Sequence, residues 1–188
     1  MIVGHLGIAA AVRSGSRTRM GSITFLALLF AAALPDAVDT LYWALNICSP
    51  YGLYSHTSYA VLLEAAIVGG VALLATGSRG VALTFAIVVL LHSPADYFTG
   101  RKIFVPGGDM IGHGIYHRPI VDWMLEVPIV VAGWWLLRRS GGSPRWASSV
   151  WAVAVLVLMQ TALDMFVIDK GSIRKPNACP VVTSPVVP

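Results

Sequence analysis

The sequence predicts an all-α, polytopic helical membrane bundle, with about five spanning helices and a short, half-length helix at the N-terminus. Composition is the first reason. Of the 188 residues, 56% are hydrophobic and only 12% charged, and the mean hydropathy is +0.74. A soluble domain needs about 25% charged residues to face water. Lipid must therefore cover what charge does not, and an ordinary water-soluble globule and a disordered chain are both excluded. Segmentation is the second reason: long apolar runs alternate with short loops marked by Gly, Pro or Arg. The third is tryptophan placement. Trp123, Trp134, Trp135, Trp146 and Trp151 mostly fall near segment ends, where an aromatic belt meets the interface.

The elements follow in order. Residues 2–12 are a short apolar stretch, which at ~1.5 Å per residue covers about half a bilayer. Arg13, Arg17 and Arg19 follow it. Residues 22–47 are long enough to span but are interrupted at Pro35-Asp36. Residues 48–56 form a loop with Pro and Gly and no basic residue. Residues 57–76 form a second long segment, closed by Gly77-Ser78-Arg79-Gly80, and residues 81–98 a third, with His92, Pro94 and Asp96 near its end. A loop rich in Gly, His and basic residues covers 99–119. Residues 120–137 form the fourth segment, ended by Arg138-Arg139, and 147–168 the fifth. Residues 1–168 thus read as one transmembrane domain and 169–188 as a flexible tail. Residues 13–35 also fit a signal-peptide template, but later apolar segments keep the chain in the membrane on either reading. Cys48 and Cys179 are isolated and indicate no redox compartment. The net charge of +4 comes without any basic-aromatic run, so nucleic acid is not an expected partner.

Spanning helices alternate direction. With the Arg13–Arg19 loop at the bottom, His5 starts above it, and Asp36 and Asp39 fall in the upper half of the second segment. His56, His92, Asp96, Asp109, His113 and His117 also fall at the top, with Asp122, Glu126 and Asp164 in upper helix ends. All five histidines and most acids converge on one side. The bottom loops hold seven basic residues and the upper segments six. If the upper cations serve a site, the bottom is cytoplasmic and the site faces outward.

Local spacing supports convergence. Asp36 and Asp39 are i,i+3, and His92 and Asp96 are i,i+4, so each pair shares a helix face. Ionisable groups in a spanning helix are costly and usually face a polar cavity or one another. Imidazoles with carboxylates suit zinc, manganese or iron, and a divalent ion would neutralise the acids. Taken singly, several of these residues have structural readings. Asp36 in a Pro-Asp step is a candidate helix N-cap, and His56 stands just before a helix start. Gln160 and Asp164 at i,i+4 read as a helix–helix polar contact. Gly112 and Gly114 make the His113/His117 pair read as a loop. Arg101, Lys102 and Arg118 are candidates to hold an anionic phosphate or headgroup, or to snorkel to the interface.

The stretches MIVGHLGIAAAVR, LPDAVD, YSHTSY and LLHSPADYFTGR, with the Pro-Gly-Gly of VPGGD and the later Glu126, resemble the membrane-bound metal-dependent hydrolase family of small bacterial inner-membrane proteins. The resemblance runs from His5 to about Leu137. It implies metal-site residues His5, Asp36, Asp39, His56, His92 and Asp96, with Glu126 as an additional acidic group. The chemistry it implies is hydrolysis of a lipidic or membrane-proximal ester or phosphoester, with zinc or manganese as the expected ion. Asp96 or Glu126 would act as general base, and Arg101 or Arg118 would stabilise developing negative charge. The bilayer is the expected partner, a lipid or anionic headgroup the expected substrate, and no oligomeric state is indicated. Two other classes fit the same residues: a small transporter or proton/cation conductor, and a non-catalytic membrane subunit whose polar cluster serves assembly.

Overall fold

The computed structural model describes residues 2–16, 18, 20–45, 47, 54–105, 108–141 and 143–168. Cys48, Cys179, Arg17, Arg19, Pro106-Gly107 and the tail expected from 169 onward lie outside the described residues. Seven α-helices carry the fold: α1 (Ile2–Gly15), α2 (Ser22–Ala32), α3 (Leu34–Ala44), α4 (Ser58–Thr76), α5 (Arg79–Thr99), α6 (Pro119–Ser140) and α7 (Val150–Ala162). The one sheet among the described residues is a short antiparallel ribbon, β1 (Lys102–Ile103) with β2 (Met110–Ile111), in which Lys102 pairs with Ile111.

The helix ends obey local chemistry. Thr57, Ser78 and Ser149 each place a side-chain oxygen on the N–H three residues on, capping α4, α5 and α7. Gly77 and Gly141 stop α4 and α6 at φ 64° and 66°, a left-handed turn that glycine adopts without a steric cost. The expected interruption at Pro35 is a full break. α2 and α3 meet at 58° across Ala33. Pro35 has no N–H to give the Ala31 carbonyl, and Ala33 N–H turns back onto Phe30 and Ala31 instead. α5, by contrast, runs through Pro94 to Thr99 as one helix.

Polarity is arranged inside out. Ile23, Leu74 and Trp151 are more than 75% exposed, whereas His5, His56, His92, Asp96, Asp122, Glu126, Gln160 and Asp164 are all buried. Such a surface is compatible with a lipid surrounding. α4, α5 and α6 are each long and apolar enough to cross a membrane, and the bent α2–α3 pair makes a fourth span if it counts as one. The expected fifth segment forms a shorter apolar helix, Val150–Phe166, in which regular α-helix runs to Ala162 and a π-helical turn follows from Leu163 to Ile168.

α1, expected as a half-length helix, is central. Val3, His5, Ala9 and Arg13 are all at or below 2% exposure. It crosses α6 at Gly7 and Gly133, where a methyl group on Gly133 would collide with the Gly7 carbonyl. Two glycines let the backbones touch, which is how membrane helices gain contact without a hydrophobic driving force. α4 and α5 form a hairpin with Gly69 against Ala86. The main apolar core joins α1, α2, α4 and α5 through Ala9, Leu28, Ala65, Phe85 and Val89. The consequence for the site is rotational: with Gly7 against α6, His5 is turned toward α5.

Candidate metal centre

The break between α2 and α3 opens the polar site. The carbonyl of Ala32, at the end of α2, accepts a hydrogen bond from His92 Nδ1 at 2.8 Å. That bond fixes the tautomer: the proton sits on Nδ1, so Nε2 of a neutral His92 presents a lone pair. His56, in the one-turn 3-10 helix Tyr54–His56, is held in the same sense. Ser55 Oγ donates its only proton to the Pro35 carbonyl at 2.7 Å. It can then only accept from His56 Nδ1, 3.0 Å away. Asp39 adds its charge at 2.8 Å from the same nitrogen as an ion pair. His56 Nε2 is thereby turned inward.

The two Nε2 atoms lie 3.2 Å apart. Asp36 Oδ1 is 3.2 Å from the first and 3.8 Å from the second. Asp96 Oδ2 is 3.0 Å from His56 Nε2 and 3.5 Å from His92 Nε2. Asp36, His56, His92 and Asp96 each offer one ligand atom, and these four lie within 4.8 Å of one another. Asp36 Oδ2 is buried without a hydrogen-bond partner. Four lone-pair donors facing one point repel unless something positive stands among them. A divalent ion would serve, and so does a proton. Burial disfavours charge on His56, but Asp36, Asp39 and Asp96 outweigh it and push its pKa up to about 10, with Lys102 opposing. Two imidazole nitrogens with two carboxylate oxygens form a donor set that zinc accepts readily and manganese tolerates. The residues present therefore fit a divalent cation.

The remaining expected residues surround this set. His5 Nε2 lies 3.0 Å from Asp96 Oδ1, the oxygen turned away from the four donors, and its ring stacks on His92 at 3.6 Å between centroids. His5 thus orients one ligand and packs against another. Asp39 steadies His56. Glu126 is buried in α6 and accepts the backbone N–H of Gly4 at 3.0 Å. It holds the first turn of α1 where a carboxylate is favoured, and so places His5. Asp122 and Asp164 are buried near it, and Asp164 takes both its oxygens to Gln160 Nε2 at 2.9 Å.

Arg101 and Arg118, expected beside the reaction, are exposed, and neither makes a hydrogen bond or ion pair to the four donors among the described residues. His113 is exposed, with Nδ1 at 3.2 Å from the Tyr97 carbonyl and its ring stacked against Phe98. His117 is exposed as well. Lys102, grouped in the sequence with those arginines, is the cation that arrives: its Nζ lies 3.1 Å from Asp96 Oδ2, and it is only 15% exposed. Ser55 and Glu64 were not anticipated. Glu64 Oε2 is buried in α4 without a hydrogen-bond partner, near enough to His56 and Asp39 to interact electrostatically. A single acid in an otherwise apolar span was the signal for it. Nothing in the local spacing marked Ser55 apart from its place before His56. Comparison with protein-family models, curated proteins and solved structures finds no match to this chain.

Proposed function

We propose that this chain is an integral-membrane, metal-dependent hydrolase that acts on a lipidic or membrane-proximal ester or phosphoester. One observation carries the reading. Nδ1 of each of two histidines is bound from behind, by Ala32 in one case and Ser55 in the other, which turns both Nε2 lone pairs toward two carboxylates. A divalent ion at that point would satisfy all four donors at once.

Asp36, His56, His92 and Asp96 would hold the ion, and His5 and Asp39 would hold the ligands in register. A bound zinc or manganese supplies Lewis acidity toward water and toward a carbonyl or phosphoryl oxygen. The protein supplies a dry, fixed site beside the lipid phase. An apolar crevice of about 360 Å³, lined by Leu6, Gly7, Phe25, Val130, Trp134 and Leu156, opens on the α6 side of α1, and none of the four donors lines it. On this reading the chain is a multi-pass protein of a bacterial inner membrane with α7 as a fifth span, as the resemblance to the membrane-bound metal-dependent hydrolases implies.

The test is metal content and turnover in detergent-purified protein. The expected result is one zinc or manganese per chain and hydrolysis of at least one member of a panel of ester, phosphomonoester and phosphodiester lipids, with both lost in His92→Ala. Absence of stoichiometric metal in the wild type, or unchanged content in His92→Ala, refutes it. A second reading, a proton or cation conductor, is favoured by the buried acids Asp122, Glu126 and Asp164 beside the first site. Metal- or pH-driven flux in proteoliposomes without turnover of any ester would select it.

A further inference from the structure

We infer that Lys102 is the recognition residue for a negatively charged group on the substrate, so that the centre acts on anionic molecules and binds the charged group between the metal and the Lys102 ammonium. The inference rests on the metal-centre reading above and names the substrate class of that site.

The access side of the cluster is defined by exposure. His5, His56, His92 and Asp96 are at most 2% exposed. Asp36 and Asp39 are 20% and 16% exposed, and Lys102 15%. Among the described residues of the cluster, these three are the ones that reach toward the surface. Two of them are acids committed to the cluster, and Lys102 is the cation at the mouth.

The backbone under Lys102 is fixed. β1 pairs with β2, and Phe104, just beyond β1, accepts the N–H of Ser58 at the start of α4, at 2.9 Å. On the other side the loop is tied to the end of α5 by Gly100 N–H to Asp96, His113 N–H to Tyr97 and Gly114 N–H to Gly100. The ribbon thus holds the ammonium at the rim of the site while Arg101, its neighbour in sequence, is exposed and lies along Gly114.

Electrostatics then assign the role. Without metal, Lys102 neutralises Asp96 Oδ2, one of the four ligand atoms. A dication held by Asp96 would take over that neutralisation and leave the neighbouring ammonium in need of an anion. Two neighbouring like charges are stable together when an anion lies between them. A phosphate, phosphoester or carboxylate group has the charge and the several acceptor oxygens to meet both. The ammonium is a compact point charge on a flexible stem, suited to follow the anion from the mouth inward.

The experiment uses full-length protein in nanodiscs of phosphatidylcholine, loaded with Co²⁺ as a visible probe of the site, with inorganic phosphate as the titrant. The expected result is one Co²⁺ per chain in wild type and a saturable shift of its d–d bands by phosphate. Lys102→Met should keep one Co²⁺, and bind it more tightly, while phosphate affinity falls roughly 10- to 100-fold, the worth of one charge-assisted hydrogen bond. Lys102→Arg should stay within a few-fold of wild type. Retained Co²⁺ in Lys102→Met certifies that the variant is folded. A Co²⁺-loaded Lys102→Met that binds phosphate as wild type does, or a wild type whose bands ignore phosphate and anionic lipid alike, overturns the inference while leaving the metal centre standing. A wild type that takes up no Co²⁺, or Co²⁺ uptake that survives His92→Ala, overturns both. Nanodiscs containing phosphatidylglycerol separate the two sources of anion. A band shift there before any phosphate is added, absent in Lys102→Met, identifies a lipid headgroup. A shift only on adding phosphate identifies a soluble anion.

Discussion

Ser55 offers the sharpest test of how the centre is built, because it touches no ion. Its hydroxyl spends its proton on the Pro35 carbonyl and accepts from His56 Nδ1 at 3.0 Å. Ser55→Ala removes that acceptor, so the His56 ring loses the bond that keeps its Nε2 lone pair inward. Loss of such an outer partner typically costs 10- to 100-fold in metal affinity. Asp39 remains 2.8 Å from the same nitrogen and takes over part of the task. The single variant should therefore sit near the lower end, about tenfold or ~1.4 kcal/mol, and Ser55→Ala with Asp39→Ala near the upper end. The Pro35 carbonyl also loses its donor at a buried position, which should lower thermal stability by about 1–3 kcal/mol. Ser93→Ala is the matched control. Ser93 stands next to His92, is buried, and its Oγ has no hydrogen-bond partner, so its removal should leave metal affinity unchanged. Competition between the protein and a chromophoric chelator for Co²⁺, at fixed pH, measures all four. Equal affinity in wild type and the Ser55/Asp39 double variant refutes the argument.

Further expectations follow from the same geometry. Because His56 is protonated in the metal-free protein up to about pH 10, an ion entering near pH 7 must expel that proton. Calorimetry in buffers of different ionisation enthalpy should show close to one proton released per ion, and no release contradicts it. The same raised pKa stabilises the metal-free fold fully below about pH 6.5 and is lost as the pH rises through about 10, so chelator-treated protein should melt progressively lower over that interval. His5→Ala should weaken metal binding roughly 10- to 100-fold without abolishing it, since His5 orients Asp96 rather than joining the four donors. His113→Ala should leave metal affinity unchanged, because its ring is held on Tyr97 and Phe98 outside the cluster. Gly133→Ala should cost about 1–3 kcal/mol or more in a detergent melt, because a methyl there meets the Gly7 carbonyl.

Much of this architecture was legible from residue types alone. Composition and the runs at 57–76, 81–98 and 120–137 announced α4, α5 and α6, and the Pro35-Asp36 step announced the break. The His92/Asp96 spacing marked the heart of the site, because i,i+4 on a helix leaves two side chains on one face. The six residues expected around the ion do gather. Spacing could not separate the four that aim an atom at one point from His5 and Asp39, which stand behind them. That separation depends on helix rotation, which the Gly7–Gly133 contact sets across more than a hundred residues. Which of three neighbouring cations enters the site was equally hidden. Arg101 and Lys102 differ by one position, and only the β1–β2 ribbon decides which faces Asp96. Within the fifth segment, read as 147–168, regular α-helix covers Val150–Ala162 and a π-helical turn follows from Leu163 to Ile168, a change that hydrophobicity alone does not mark.

An anomalous-difference map collected at the metal edge, on crystals of the zinc- or manganese-loaded protein, tests the central claim most directly. A single peak within bonding distance of His56 Nε2, His92 Nε2 and carboxylate oxygens of Asp36 and Asp96 is the predicted result. A peak elsewhere, or none among these four residues in protein shown to carry metal, would contradict it.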